Sequence, residues 1–412
     1  MMPENVLYMI KPVFVFCLLV FTLLVFSQAG HAISEDNDII TRFRKPLPEL
    51  ELLSKEAFYE KTTAYSGMPY NDKTLAYSLR VDKSWEKSPE KGASNFLLSN
   101  KLFSNLALFN SPPSVVGRSR LEIKAVNLEY QLTAEQWYIQ YVLESGYTLE
   151  GFVVHNKKKV EALMIVMDQD ISYVVRTLVH INGTRVVIAE HYVPLPLWQA
   201  GQVMQEQVLN SFTLLHLEDA IVEELSTFQF LDIAVIKYPV SWKKKSSPIR
   251  SIERMSVKFV NVREITDKHK RSETSIEGQI DISVVALSAS ESFIKEIELY
   301  KRKLESAGIL VGDRIGRIED MRYSDSIRFG TTESYVGIDS TSDYIDYELW
   351  FSALSTGDYI FFITLITPAR NEAFPTWARN IESYRIIVER MVVNQNDFDD
   401  DDGRDVVDIS DQ

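Results

Sequence analysis

The residues able to do chemistry are few and scattered. Cys17 is the only cysteine, and it lies inside an apolar run near the N-terminus. The chain beyond it therefore has no thiol nucleophile, cysteine metal ligand or disulfide. The histidines are His31, His155, His180, His191, His216 and His269, and none pairs with another at metal-ligand spacing. His180 and His191 flank Asn182-Gly183, a two-residue turn signal, and the hairpin it predicts brings them within reach across two strands. The plainer reading is two ordinary strand histidines. No phosphate loop, dinucleotide glycine pattern, zincin helix or nucleophile elbow occurs. No serine is marked out as a triad nucleophile. Trp137 and Tyr138 are candidates for a ligand groove or, more simply, for core. The expectation is a protein without catalytic, cofactor-binding or metal-binding residues.

The basic residues say more. Lys243-Lys244-Lys245 follows one predicted strand, and Lys268, His269, Lys270 and Arg271 fall in a polar loop predicted over 263–278. Long loops in compact domains often carry binding. Lys243, Lys244, Lys245, Lys268, Lys270 and Arg271 are thus the partner-binding candidates, for an acidic protein, anionic headgroups or the chain's own acidic tail. The competing reading is two unrelated solvated loops. A further run, Lys157-Lys158-Lys159, sits in a short predicted turn.

The net charge is -14, but residues 397–411 hold eight Asp against Arg404 alone, half of that total. The body is only mildly acidic, and nucleic acid is disfavoured for want of a basic face. The tail is no EF-hand. With Gly403 at the sixth loop position the first ligand is Phe398 and the twelfth Ile409. Like-charge repulsion predicts a solvated segment.

Elements that must position these residues follow from pattern. Val13 to Phe26 is an apolar run preceded by Lys11 and followed by Ala29, Gly30, His31 and Ala32. That reads as an export signal cleaved after Ala32, with an uncleaved anchor as the alternative. The rest repeats itself. Tyr173, Gly183 and Pro194 match Tyr347, Gly357 and Pro368 at one spacing, and Ser84-Trp85 matches Ser241-Trp242. Leu143-Glu144-Ser145-Gly146 returns as Leu304-Glu305-Ser306-Ala307-Gly308, and Asn210-Ser211-Phe212 as Glu382-Ser383-Tyr384. Each copy reads as strands, a long helix (133–146, 290–308), an antiparallel meander and a closing helix (198–210, 374–382). Each copy ends on a last short strand, 212–215 in the first and 384–388 in the second. The run Tyr359-Ile360-Phe361-Phe362-Ile363 predicts a strand covered on both faces. The fold class is α+β, as two tandem three-layer α/β/α sandwich domains, each around an antiparallel sheet. The plan is a signal at 1–32, an N-terminal extension at 33–74, a first domain at 75–216, a connector at 217–230, a second domain at 231–393 and a disordered acidic tail at 394–412.

This order, with Tyr238-Pro239-Val240-Ser241-Trp242, the helix end Leu304-Glu305-Ser306-Ala307-Gly308 and the closing Trp377 with Ser383-Tyr384, resembles the PsbP/DcrB-like superfamily. The second copy matches best; the first lacks the proline at Val81-Asp82-Lys83-Ser84-Trp85. The resemblance implies a binding or assembly factor without catalysis. The leading expectation is an exported, periplasmic or secreted interaction module, an assembly or secretion accessory of the bacterial envelope with unidentified envelope proteins as partners. A small-ligand or lipid carrier and an unrecognised hydrolase are the alternatives. N-terminal sequencing of the exported protein should begin at Ile33; a chain still starting at Met1 or Met2 would remove the cleavage.

Overall fold

The computed structural model describes residues 38–89, 95–98, 101–245, 253–266, 272–290, 292–306, 308–339 and 346–394. The first unit begins with α1 (Ile39–Phe43), α2 (Lys55–Lys61) and the strands β1 (Thr62–Gly67), β2 (Tyr77–Asp82), β3 (Glu86–Lys87), β4 (Asn95–Leu98), β5 (Lys101–Asn110) and β6 (Arg120–Asn127). The long helix α3 (Ala134–Ser145) precedes a meander of β7 (Thr148–Asn156), β8 (Lys159–Asp168), β9 (Ile171–Asn182) and β10 (Arg185–Pro194). Helix α4 (Trp198–Asn210) and β11 (Thr213–Leu214) close it. The second unit repeats the order with β12 (Leu225–Phe230), β13 (Ala234–Pro239), β14 (Trp242–Lys245), β15 (Arg254–Thr266) and β16 (Ser272–Ala286). Then come α5 (Phe293–Ser306), β17 (Ile309–Arg317), β18 (Phe329–Asp339), β19 (Asp346–Ser355), β20 (Tyr359–Pro368), α6 (Phe374–Glu389) and β21 (Val392–Val393).

The two units share one strand order. The large sheets run β3-β5-β6-β10-β9-β8-β7, with β4 also on β5, and β14-β15-β16-β20-β19-β18-β17; the small ones run β1-β2-β11 and β12-β13-β21. The matched residues sit at equivalent points. Tyr173 stands opposite Pro194, and Tyr347 opposite Pro368. Gly183 turns the first of these hairpins at φ 57, a conformation glycine adopts without strain. Thr133 and Gln136 form a capping box at the start of α3, and Gly146 ends that helix at φ 68. Gly308 follows α5 in the same left-handed region at φ 87.

Each large sheet is the middle of three layers. In the first unit Tyr138 and Val142 of α3 share a core with Phe152, Met164 and Val175 on one face. Val208 and Leu209 of α4, with Leu79 of the small sheet, cover Val187 and Ala189 on the other. In the second unit α5 packs Tyr300 and Leu304 against Phe362 and Ile360, while Phe361, Ile363 and Leu365 join Trp377 and Ile381 of α6. Strand β20 is thus buried on both faces, as its unbroken apolar run predicts.

Several expectations need correction. Residues 384–388 are helix, not strand. Ile381, Tyr384, Ile387 and Val388 all reach the core at helical spacing, so burial overrides their β-branched composition. The match of Asn210-Ser211-Phe212 with Glu382-Ser383-Tyr384 therefore fails, since the first set ends a helix and the second lies inside one. The predicted loop over 263–278 is mostly paired strand. β15 and β16 stay in register from Val262–Ile276 out to Thr266–Ser272, past a bulge at Asn261. Gly278 sits at that bulge because a Cβ there would lie 2.4 Å from Nδ2 of Asn380, which is hydrogen-bonded to the Glu277 carbonyl and to Thr367. Strands β17 and most of β18 carry glycine and charge and give no clean alternation. Residues 62–67 and 225–230, read as extension and connector, are strands of the two small sheets.

The N-terminal segment leans on both units rather than the first alone. The Ile39 amide donates to Oδ1 of Asn371, and Arg370 pairs with Asp38 at 3.7 Å. A few residues on, Arg44 forks onto Glu135 at 2.8 Å, and Lys45 bridges to Phe152. Beneath this strap the units share one apolar core. Gln136 to Val142 of α3 are all buried, on every side of the helix, in a cluster that also contains Trp377 and Ile381 of α6. Lys157 of the first lysine run reaches Asp320 at 2.8 Å, which also accepts from Arg385. Burial opposes ionisation of Asp320, but the hydrogen bonds from Arg385 and Lys157 outweigh it and hold the carboxyl at about 2.

Glu382 is the opposite case. It accepts a hydrogen bond from Gln136 at 3.0 Å, and burial pushes its carboxyl above the ordinary range despite Arg385. Its folded-state value is raised, so the folded protein prefers it neutral. The resulting penalty is absent at low pH and grows as pH rises through the folded value. Glu382→Gln should therefore raise the melting temperature at neutral pH, with the gain over wild type vanishing by about pH 4. A pH-independent gain, or a loss, would count against this reading.

Candidate functional site

Consecutive residues of a strand point to opposite faces. On β14, the edge strand of the second sheet, Lys244 therefore faces the small sheet, its Nζ 5.1 Å from the Phe228 ring. Lys243 and Lys245 face the side that carries α5. Register extends that side inward: Lys245 stands opposite Lys258, Lys258 opposite Asp281, and Asp281 opposite Thr364. Two lysines directly opposite each other cost stability. That arrangement suits an anionic occupant.

Between this row and α5 runs a groove of about 570 Å3. Leu299, Tyr300 and Leu304 form its helix wall, Ser256, Asp281 and Ser283 its floor, and Lys258 and Lys303 its charged lining. Burial raises the Asp281 carboxyl above its usual range; Lys258, 3.8 Å away, and the Gln279 amide at 2.6 Å oppose the shift. Arg254 closes one end, held by Glu296 through bonds of 2.8 and 2.6 Å. Tyr300 accepts from Thr364 at 3.0 Å, and burial lifts its phenol above the usual value.

The first unit fills the same place. Counting back from Gly146 and Gly308 sets Tyr138 against Tyr300 and Val142 against Leu304, the core positions of both helices. The same count sets Trp137 against Leu299 and Tyr141 against Lys303. In the first unit Trp137 stacks on Tyr141 at 5.4 Å, and Tyr141 meets Phe103 edge-on at 6.1 Å. In the sheet, Lys124 faces Ile188 where Ser283 faces Phe362. Lys124 is bound to Glu190 at 2.7 Å with both side chains buried, and Tyr192 donates to Glu190 at 2.6 Å. What stays open in the first unit is a smaller cleft of about 420 Å3 beside Trp137. The second unit thus has leucine, lysine and serine where the first has tryptophan, tyrosine and a buried ion pair.

Of the candidates named from sequence, Lys243 and Lys245 border the groove and Lys244 lies on the opposite face. Lys268, Lys270 and Arg271 lie outside the described residues, as do Ala32 and residues 395–412. Lys258, Asp281, Leu299 and Lys303 were missed. Their signal was the polar half of two alternating strands, Ser256 and Lys258 beside Asp281 and Ser283, facing a helix too narrow to cover them. The histidine pair does not form. His180 stands opposite Val187 and His191 opposite Arg176, and burial draws them down to about 4 and about 3. Tyr138 is core, its hydroxyl on the Met164 sulfur. Among the described residues no His, Cys, Asp and Glu cluster is placed to hold a metal, and no helix is long and apolar enough to cross a membrane.

No family model and no curated protein matches the chain. Solved structures similar to it include the cyanobacterial PsbP, CyanoP, from Synechocystis sp. PCC 6803 (13% identity, 41% of this chain and 99% of that one, TM-score 0.28). Another is the Ran-binding protein Mog1p of Saccharomyces cerevisiae (12%, 42% and 96%, TM-score 0.28). A third is the immunity protein TplEi of the type VI secretion system of Pseudomonas aeruginosa (9%, 77% and 94%, TM-score 0.19). Likenesses this faint carry no argument about function; the α+β class rests on the strand order itself.

The contrast between the units is testable where the first is filled. Lys124→Ala strands a buried carboxylate and should cost ~3–5 kcal/mol in denaturant unfolding, while Lys124→Met combined with Glu190→Gln should cost much less. Equal losses would mean that the pair is not the desolvated unit described.

Proposed function

We propose that the chain is a non-catalytic protein-interaction module built from tandem PsbP-like domains, exported and cleaved after Ala32, that captures an acidic partner in the groove of its second unit. The partner class is an envelope protein, and an assembly or secretion accessory role is the corresponding physiological task. One observation carries the reading. A place largely filled in the first unit opens in the second into a larger groove lined by Lys258 and Lys303, with Lys245 directly opposite Lys258 across β14 and β15. Beside it α5 leaves apolar surface in solvent, with Leu299 51% exposed. Exposed apolar surface rimmed by charge is the usual dress of an interface. Mog1p is a Ran-binding protein, but the likeness to it is too faint to support this reading, which stands on the groove.

The test refills the groove. Leu299→Trp with Lys303→Tyr restores the side chains the first unit uses, and Lys243→Glu with Lys245→Glu reverses the edge. Crosslinking in the native envelope followed by mass spectrometry should show partner recovery falling at least tenfold in both variants, with the thermal stability of the purified proteins not lowered. Full recovery from both would sink the reading.

A small-ligand or lipid carrier is the second reading, because the groove lies within the ~300–1,000 Å3 range of small-molecule sites. Native mass spectrometry of the purified protein separates the two. A retained small molecule lost on Leu299→Trp favours the carrier.

A further inference from the structure

We propose that the C-terminal acidic segment, residues 395–412, occupies the groove of the second unit in its own chain and competes there with the partner. This rests on the groove being a binding site, as proposed above, and adds its resident occupant. The segment carries Asp397, Asp399 to Asp402, Asp405, Asp408 and Asp411 against the single cation Arg404. It is the densest negative charge in the sequence. The groove side of the second sheet holds Lys245, Lys258 and Lys303; among the described acids that line the groove, Glu296 is bound by Arg254, and Asp281, 3.8 Å from Lys258, is pushed by burial toward its neutral form.

The path between them is laid out by β14. The described chain ends at Asn394, whose amide donates to the Ile233 carbonyl and whose side chain donates to that of Asp232. That anchors the tail on the small sheet, on the opposite side of the large sheet from the groove. β14 is the edge between those two sides and follows β13 directly. Its consecutive lysines straddle the edge, with Lys244 toward the small sheet and Lys243 and Lys245 toward the groove. Eighteen residues follow Asn394 and reach at most about 60 Å, ample to round one sheet edge. A tether of this length also gives the tail a local concentration on the order of millimolar, so that weak contacts of each aspartate sum to stable occupancy. Docking would relieve the mutual repulsion of the aspartates.

The probe is a fluorescent synthetic peptide of residues 395–412, titrated by anisotropy at low salt into three full-length mature proteins. These are the wild type, a tail-neutralised variant with the eight aspartates changed to asparagine, and a groove variant with Lys243→Glu, Lys245→Glu and Lys258→Glu. The neutralised variant should bind the peptide at least tenfold more tightly than the wild type, whose own tail competes. The groove variant should not bind it, and binding should weaken as salt rises. Equal affinity of wild type and neutralised protein would overturn the proposal, as would binding retained by the groove variant. Repeating the wild-type titration over a hundredfold range of protein concentration tests the intramolecular claim: protection lost on dilution would assign the tail to a second copy and overturn it. If the peptide fails while envelope crosslinking still depends on the groove, the tail inference falls and the partner reading stands. If crosslinking fails and the peptide competes as described, the reverse holds.

Discussion

Everything in the arrangement depends on the burial of α3 from all sides. A helix on the surface of a sheet normally needs one apolar stripe, and α5 shows that ordinary case, with Tyr300 and Leu304 inward and its other side toward solvent. From Gln136 to Val142 the helix α3 has no solvent face at all. One side rests on the first sheet, and the other is closed by α6 of the second unit. The two three-layer units therefore form one cooperative body whose layers stack in the order α4, sheet, α3, α6, sheet, α5. The strap from Asp38 to Lys45, the Lys157–Asp320–Arg385 link and the Gln136–Glu382 bond are polar fittings around that apolar joint.

The stacking is heterologous: a mid-unit helix of one repeat meets a closing helix of the other. Such a contact uses unlike faces, so it leaves one of each unused at the two ends of the body. At one end α4 remains outward, and at the other α5. Duplication thus made equivalent helices inequivalent by position. With α3 sealed, its own Trp137 and Tyr141 and the neighbouring Lys124 of β6 consolidate the interior. With α5 facing water, Leu299, Lys303 and Ser283 open a groove at the equivalent place. Which copy was covered decides which of the two equivalent places is filled and which is open.

Much of the architecture was legible because it is written in local pattern. The Asn182-Gly183 turn, the Thr133 cap, the glycines at 146 and 308 and the apolar run of β20 each mark their own element. The failures were of two kinds. Ile386 to Val388 look like strand by composition, and only tertiary burial makes them helix. Strands such as β17 carry Gly312, Asp313, Arg314 and Gly316, the charge and irregularity that protect a sheet edge, which erases the alternation by which strands are recognised. The candidate site was half legible. A lysine run stands out in one dimension, but Lys258, Asp281 and Lys303 converge with it only through register and helix packing, which sequence spacing does not display.

The joint between α3 and α6 also orders events in time. A chain emerging from a ribosome presents α3 about 230 residues before α6 exists to cover it. Until then the outer side of α3 is an apolar surface without its mate, of the kind that draws aggregation or a chaperone. The first unit can assemble its sheet early, but its core is finished only by almost the last structured segment to arrive. A truncation that removes α6 would consequently damage the first unit as much as the second, although every strand of the first is still present.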